Sequence, residues 1–131
     1  MHATGNFEVK VQPQAADNPQ ASAAGLGRLS LDKRFHGDLD ASGQGEMLAA
    51  GDGTSGAYVA MEKISGTLHG RRGSFVLVHR ALMVDGTPQE WTVAVVPGSG
   101  SGELAGIGGS LAITLVDGKH QYDFSYTLPQ R

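Results

Sequence analysis

Tyr58-Val59-Ala60-Met61-Glu62-Lys63-Ile64-Ser65-Gly66-Thr67-Leu68-His69 and Ser74-Phe75-Val76-Leu77-Val78-His79-Arg80-Ala81-Leu82-Met83-Val84 flank Gly70-Arg71-Arg72-Gly73, and together they read as one long hairpin. Both arms are rich in β-branched and aromatic residues, and their side chains divide into two faces at a period of two, which is the period of a strand. Taking Arg71-Arg72 as a two-residue loop pairs Leu68 with Phe75, Ile64 with His79 and Glu62 with Ala81. One face then carries Tyr58, Ala60, Glu62, Ile64 and Leu68 beside Phe75, Leu77, His79, Ala81 and Met83, and this more apolar face is the expected interior. The other face holds Lys63, Ser65, Thr67 and Arg80, along with an apolar stripe of Val59, Met61, Val76, Val78 and Leu82.

The same period runs outward along the chain. Ala3 to Gln12 alternates as a first strand, Leu29, Leu31 and Phe35 alternate with Ser30, Asp32 and Arg34, and a further run reaches Leu48 beyond a bend at Gly37. Pro13 to Gly27 has neither period and reads as a long surface loop. Glu90 to Val96 is a strand closed by Pro97, and Leu111 to Val116 with Lys119 to Leu128 form a second hairpin around Asp117-Gly118, a dipeptide suited to a primed turn. Three copies of a Gly-x-Leu-x-small pattern, at Gly37 to Ala41, Gly66 to Gly70 and Gly102 to Gly106, mark bends of the kind that curl a sheet toward closure. No amphipathic helix of ten or more residues is evident. The expectation is an all-β domain over residues 1–131, a small closed or nearly closed antiparallel barrel of about eight strands, lipocalin-like in outline.

Composition narrows the function classes. At 131 residues with 40 % hydrophobic and 18 % charged residues, the chain suits one folded domain and contains no apolar run long enough for a membrane span. A net charge of −3 argues against nucleic acid as a partner. With no cysteine there is no disulfide framework and no thiolate chemistry, and without a signal-peptide pattern the expected compartment is the cytoplasm. Gly100-Ser101-Gly102-Glu103-Leu104-Ala105 fits a loose dinucleotide pattern, but no helix follows it. The five histidines show no metal-ligand spacing, so neither a metal nor another cofactor is expected.

The candidate site lies on the interior face. Glu62 and His79 are diagonal neighbours across the long hairpin, within reach of a hydrogen bond, and a carboxylate beside an imidazole in an apolar barrel can act as general acid and base. Equally, the two can satisfy each other as a buried polar pair without turnover. In the second hairpin, His120, Tyr122, Phe124 and Tyr126 face inward with Leu111, Ile113 and Leu115, offering hydroxyl and imidazole groups to orient a ligand. Tyr58 and Glu46 complete the candidate ligand-binding set, Glu46 from a glycine-rich strand whose register is not fixed by the sequence.

Four blocks carry a resemblance: Phe35-His36-Gly37-Asp38-Leu39, Tyr58-Val59-Ala60-Met61-Glu62, Gly73-Ser74-Phe75-Val76-Leu77-Val78-His79, and Val96-Pro97-Gly98-Ser99-Gly100-Ser101-Gly102-Glu103-Leu104-Ala105-Gly106. In their order and spacing the chain resembles the bacterial family termed domain of unknown function 3224, with serine at 101 where threonine is expected and valine at 78 where glutamine is expected. The resemblance implies a barrel like that of allene oxide cyclase and the plant dirigent proteins. It implies no activity, because fold alone does not carry chemistry. Three functions follow as expectations: binding of a small, largely apolar molecule, an isomerase or cyclase moving a proton with Glu62 and His79, and a structural homo-oligomer joined through the Val59–Leu82 stripe.

Overall fold

The structure is a computed structural model that describes residues 1–15, 18–52 and 54–129. Nine strands run in chain order as β1 (His2–Pro13), β2 (Gly27–Gly37), β3 (Leu39–Gly51), β4 (Gly56–Leu68), β5 (Arg71–Val84), β6 (Thr87–Val95), β7 (Ser101–Gly102), β8 (Gly108–Val116) and β9 (Lys119–Thr127). They form a single antiparallel sheet. The order β4-β3-β2-β1-β9-β8-β6-β5 closes on itself through β4–β5 pairing, giving an eight-stranded barrel with β7 added along β5. Closure gives every barrel strand a partner on both sides, the β6–β8 seam through Ala94 and Ser110, and the inward side chains of each strand share one lumen.

The long hairpin turns two residues earlier than the sequence suggests. His69-Gly70 is the turn, Leu68 pairs with Arg71, and the expected Arg71-Arg72 corner is replaced. His69 (φ 47°) and Gly70 (φ 79°) both adopt positive φ, the requirement of a type I′ turn, which glycine meets freely and histidine tolerates better than arginine. Relative to the expected pairing, β5 slides along β4 by an even number of residues, so no side chain changes face. Ile64 therefore pairs with Phe75, and Glu62 with Leu77. The Asp117-Gly118 turn lies where the sequence places it, with Val116 opposite Lys119. Within the expected loop from Pro13 to Gly27, Pro19–Ala23 forms a single helical turn whose amides at Gln20 and Ala21 bond to the Asn18 side chain; proline at the first helical position is preorganised for that start.

The two ends of the barrel differ. At the end where β2 meets β3 and β4 meets β5, the leucine of each Gly-x-Leu repeat is driven inward: Leu39, Leu68 and Leu104 are at most 1 % exposed, and with Ile107, Phe124 and Tyr126 they stop the lumen. At the opposite end the inward positions grade from buried to open along each strand. On β8, Leu111 is buried, Ile113 partly so, and Leu115 is 66 % exposed; on β5, Ala81 is buried and Met83 is 40 % exposed. The apolar stripe lies on the outer face of β4 and β5, with Val59 and Met61 exposed and Val76, Val78 and Leu82 half-buried.

Leu68→Ala at the stopped end should lower unfolding free energy by about 2–5 kcal/mol, the range for truncating a fully buried leucine. Leu115→Ala at the open end should change it by less than about 0.5 kcal/mol. Urea unfolding followed by far-ultraviolet circular dichroism compares the two, and equal losses would contradict this assignment of the ends.

Candidate functional site

Beneath the open end, three ionisable side chains from three strands meet in the lumen. Lys33 on β2, Glu62 on β4 and His79 on β5 are 7 %, 1 % and 3 % exposed. Glu62 Oε1 accepts from both partners, from Lys33 Nζ at 2.9 Å and from His79 Nε2 at 2.6 Å. Glu62 and His79 are the diagonal neighbours that alternation predicts, although on the opposite diagonal because of the earlier turn.

Lys33 is the member that sequence reading passes over. It falls on the same parity as Leu31 and Phe35, both buried, and that parity is the signal that could have found it. Its ammonium lies 4.9 Å from the Phe7 ring centroid and 5.9 Å from that of Phe35, in the range of cation–π attraction. Lys33 and Glu62 are not on adjacent strands, since β3 runs between them. The inward residue opposite Lys33 on β3 is Gly43 and that opposite Glu62 is Gly45, so no side chain stands between cation and carboxylate. A methyl group on Gly43 would come within 2.9 Å of Glu62 Oε2 and 2.8 Å of Ile64 Cδ1. Glycine is thus the residue that lets the ion pair form across a strand.

Burial pushes the Glu62 carboxyl up, but the His79 hydrogen bond and the Lys33 charge outweigh it and hold the group below its ordinary value. An ionised Glu62 can only accept, so His79 Nε2 carries the proton of that hydrogen bond and, in the neutral ring, Nδ1 keeps its lone pair. Nδ1 makes no hydrogen bond to any described residue. Among the described residues Glu62 Oε2 is the one sealed side-chain nitrogen or oxygen without a partner, so Nδ1 retains an accessible edge.

Toward the mouth, Tyr58 on β4 is half-buried; burial raises its phenol, and the Glu62 charge raises it further. A β-bulge at Glu90 and Trp91, with Glu90 at φ 47°, interrupts the β5–β6 register between Arg80 and Leu82. His120 stacks on Phe7 with ring centroids 5.0 Å apart. A cavity of about 420 Å³ opens here, lined by Met47, Ala49, Tyr58, Ala81 and Met83 among others.

The structure does not bring the other candidates to this group. Glu46 projects outward from β3 and pairs with Arg28, whose hydrogen bonds at 2.5 and 3.1 Å hold the carboxyl below its ordinary value. Tyr122 points inward near the stopped end, where its hydroxyl donates to His36 O at 2.8 Å and accepts from Leu39 N at 2.9 Å, and burial raises its phenol. Tyr126 bonds to His69 Nδ1 at the same end. Among the described residues no group of three or more His, Asp or Glu could hold a metal ion, and no helix is long and apolar enough to cross a membrane.

Comparison with known proteins gives a family and no activity. Residues 3–126 match the model of a family described as "Protein of unknown function (DUF3224)". A crystal structure at 1.84 Å resolution of a protein with unknown function from the DUF3224 family of Shewanella oneidensis MR-1 is 43 % identical, with a TM-score of 0.89 over 100 % of this chain and 98 % of that one. No curated protein matches.

Because the folded Glu62 carboxyl is depressed, it stabilises the fold above its unfolded value near 4.5, and that contribution is lost as pH falls through the folded value. The stability difference between wild type and Glu62→Gln should therefore be constant from neutral pH to about pH 4.5 and shrink below it, as read by unfolding at successive pH values. Lys33→Met should cost about 3–5 kcal/mol by leaving the buried carboxylate without its cation, and Lys33→Met with Glu62→Leu should recover most of that loss. A pH-independent difference, or a harmless Lys33→Met, would count against the charged cluster.

Proposed function

The chain belongs to the DUF3224 family, described only as proteins of unknown function, and from the geometry of its open end we propose that it binds a small, largely apolar molecule inside the barrel. One observation carries this reading: inward-facing apolar side chains at the mouth lie open to solvent. Met83, Trp91, Val11 and Leu115 are 40 %, 41 %, 46 % and 66 % exposed, although each continues the inward parity of its strand. Exposed apolar surface costs free energy in water, and an occupant that covers it recovers that cost. The adjoining cavity of about 420 Å³ falls in the size range of small-molecule sites. Its few polar side chains, Tyr58 at the side with Thr54 and Ser55 at the rim, suit a ligand that is mostly apolar with one polar handle.

N-Phenyl-1-naphthylamine, a neutral dye that brightens in apolar surroundings, tests the proposal. Titration into wild type should give saturable enhancement with a micromolar Kd, and both Ala81→Trp, which fills the cavity, and Met83→Glu, which makes its rim polar, should weaken binding at least tenfold. Absence of saturable binding, or indifference to both variants, would overturn it.

A further inference from the structure

Two nitrogen atoms in the lumen carry unused hydrogen-bonding capacity at the same depth. His79 Nδ1 is an acceptor with an accessible edge and no partner among the described residues, on a residue 3 % exposed. Lys33 Nζ makes one hydrogen bond, to Glu62, of the three an ammonium can donate. Between them and the mouth stand small side chains. The residue opposite His79 on β4 is Ala60, the next inward residue of β5 is Ala81, and Ala81 also lines the open cavity.

We infer that this site takes a small aromatic or otherwise apolar molecule bearing one acidic hydroxyl, of the phenol or enol class, and that His79 accepts its proton. The inference rests on the binding reading above and names the chemistry of the handle. In the step, the ligand O–H bond breaks as an N–H bond forms at His79 Nδ1, leaving the negative charge on the ligand oxygen. His79, now an imidazolium, keeps its Nε2 hydrogen bond to Glu62. The charges close: Lys33 and imidazolium are balanced by the Glu62 carboxylate and the ligand oxyanion.

Without a ligand, Lys33 and Glu62 balance each other, and buried charge is costly in an apolar interior unless it is so paired. A bare carboxylate ligand, arriving already ionised, would have to draw a proton for His79 from solvent; a weakly acidic hydroxyl brings its own. In the open half of the lumen the other inward titratable side chains are Tyr58 on β4 and His120 on β9, the former half-buried and the latter stacked on Phe7, while Tyr122 and Tyr126 lie at the stopped end. Glu90 on β6 faces outward to Arg80. His79 is therefore the one buried base with a free lone pair among the described residues.

4-Nitrophenol and its methyl ether, 4-nitroanisole, separate the two claims, because they share an apolar body and only the phenol carries a proton. The phenol also reports its own ionisation through the visible band of the phenolate. At a pH where free 4-nitrophenol is mostly protonated, wild type should bind it at least tenfold more tightly than 4-nitroanisole and the bound form should show the phenolate band. The His79 ring ¹⁵N resonances should move to imidazolium values on addition of the phenol and not of the ether, a readout that needs no variant. His79→Phe should abolish the preference and the phenolate band while still binding 4-nitroanisole. Equal affinity for both probes, or a bound phenol that stays neutral, would overturn the acidic-hydroxyl inference and leave the apolar-binding reading standing. Failure of both probes to bind would overturn both.

Discussion

One oxygen organises the interior of this barrel. Glu62 Oε1 receives a hydrogen bond from an ammonium on β2 and another from an imidazole on β5, tying together strands that have two others between them on one path around the wall. The geometry depends on what is missing from β3. With Gly43 and Gly45 at its inward positions, the strand contributes backbone alone to the lumen at this level, and charge meets charge across it. Such a cluster is poor value as a stabilising device, because desolvating the ions offsets most of their attraction. A packed apolar core would hold the same strands at less risk. Its presence beneath an open apolar mouth is what makes this level of the barrel the candidate site.

The fold separates a packed end from an open end along the barrel axis. The leucines of the three Gly-x-Leu repeats, together with Phe75, Phe124 and Tyr126, make one end a conventional core of stacked and tilted rings. Tyr122 belongs to that end too, since its hydroxyl ties the backbone at His36 and Leu39 together. The opposite end keeps the same inward alternation without the filling, so strands that are interchangeable by pattern do different work above and below the level of Glu62.

Much of this was legible because parity is a sturdier property than register. The sequence points to Arg71-Arg72 as the corner and the chain turns at His69-Gly70, yet the slip is even, so every inward residue of β4 and β5, Glu62 and His79 included, was assigned to its true face. Lys33 was hidden by its type: lysine on the apolar parity of β2 reads as noise until a buried carboxylate is seen two strands away. The outward facing of Glu46 is hidden for the complementary reason, since Gly43 and Gly45 at the inward positions before it erase the apolar signal that would show β3 alternating. Tyr122 and Tyr126 were rightly placed inward, but alternation carries no information about depth along the axis, and depth decides whether a hydroxyl meets backbone or lumen. Asn18-Pro19 held a capping signal for the short helix that a search for long amphipathic periods overlooks.

A barrel stopped at one end is a cul-de-sac. An occupant of the kind proposed would enter and leave by the same doorway, head first, with any longer portion trailing into water. The distance from Tyr58 to Glu62 along β4, four residues at roughly 3.3 Å each, allows about 13 Å of travel before the charged floor. Length beyond that is tolerated only as an overhang, so selectivity should fall on the width and the leading group of a guest far more than on its tail.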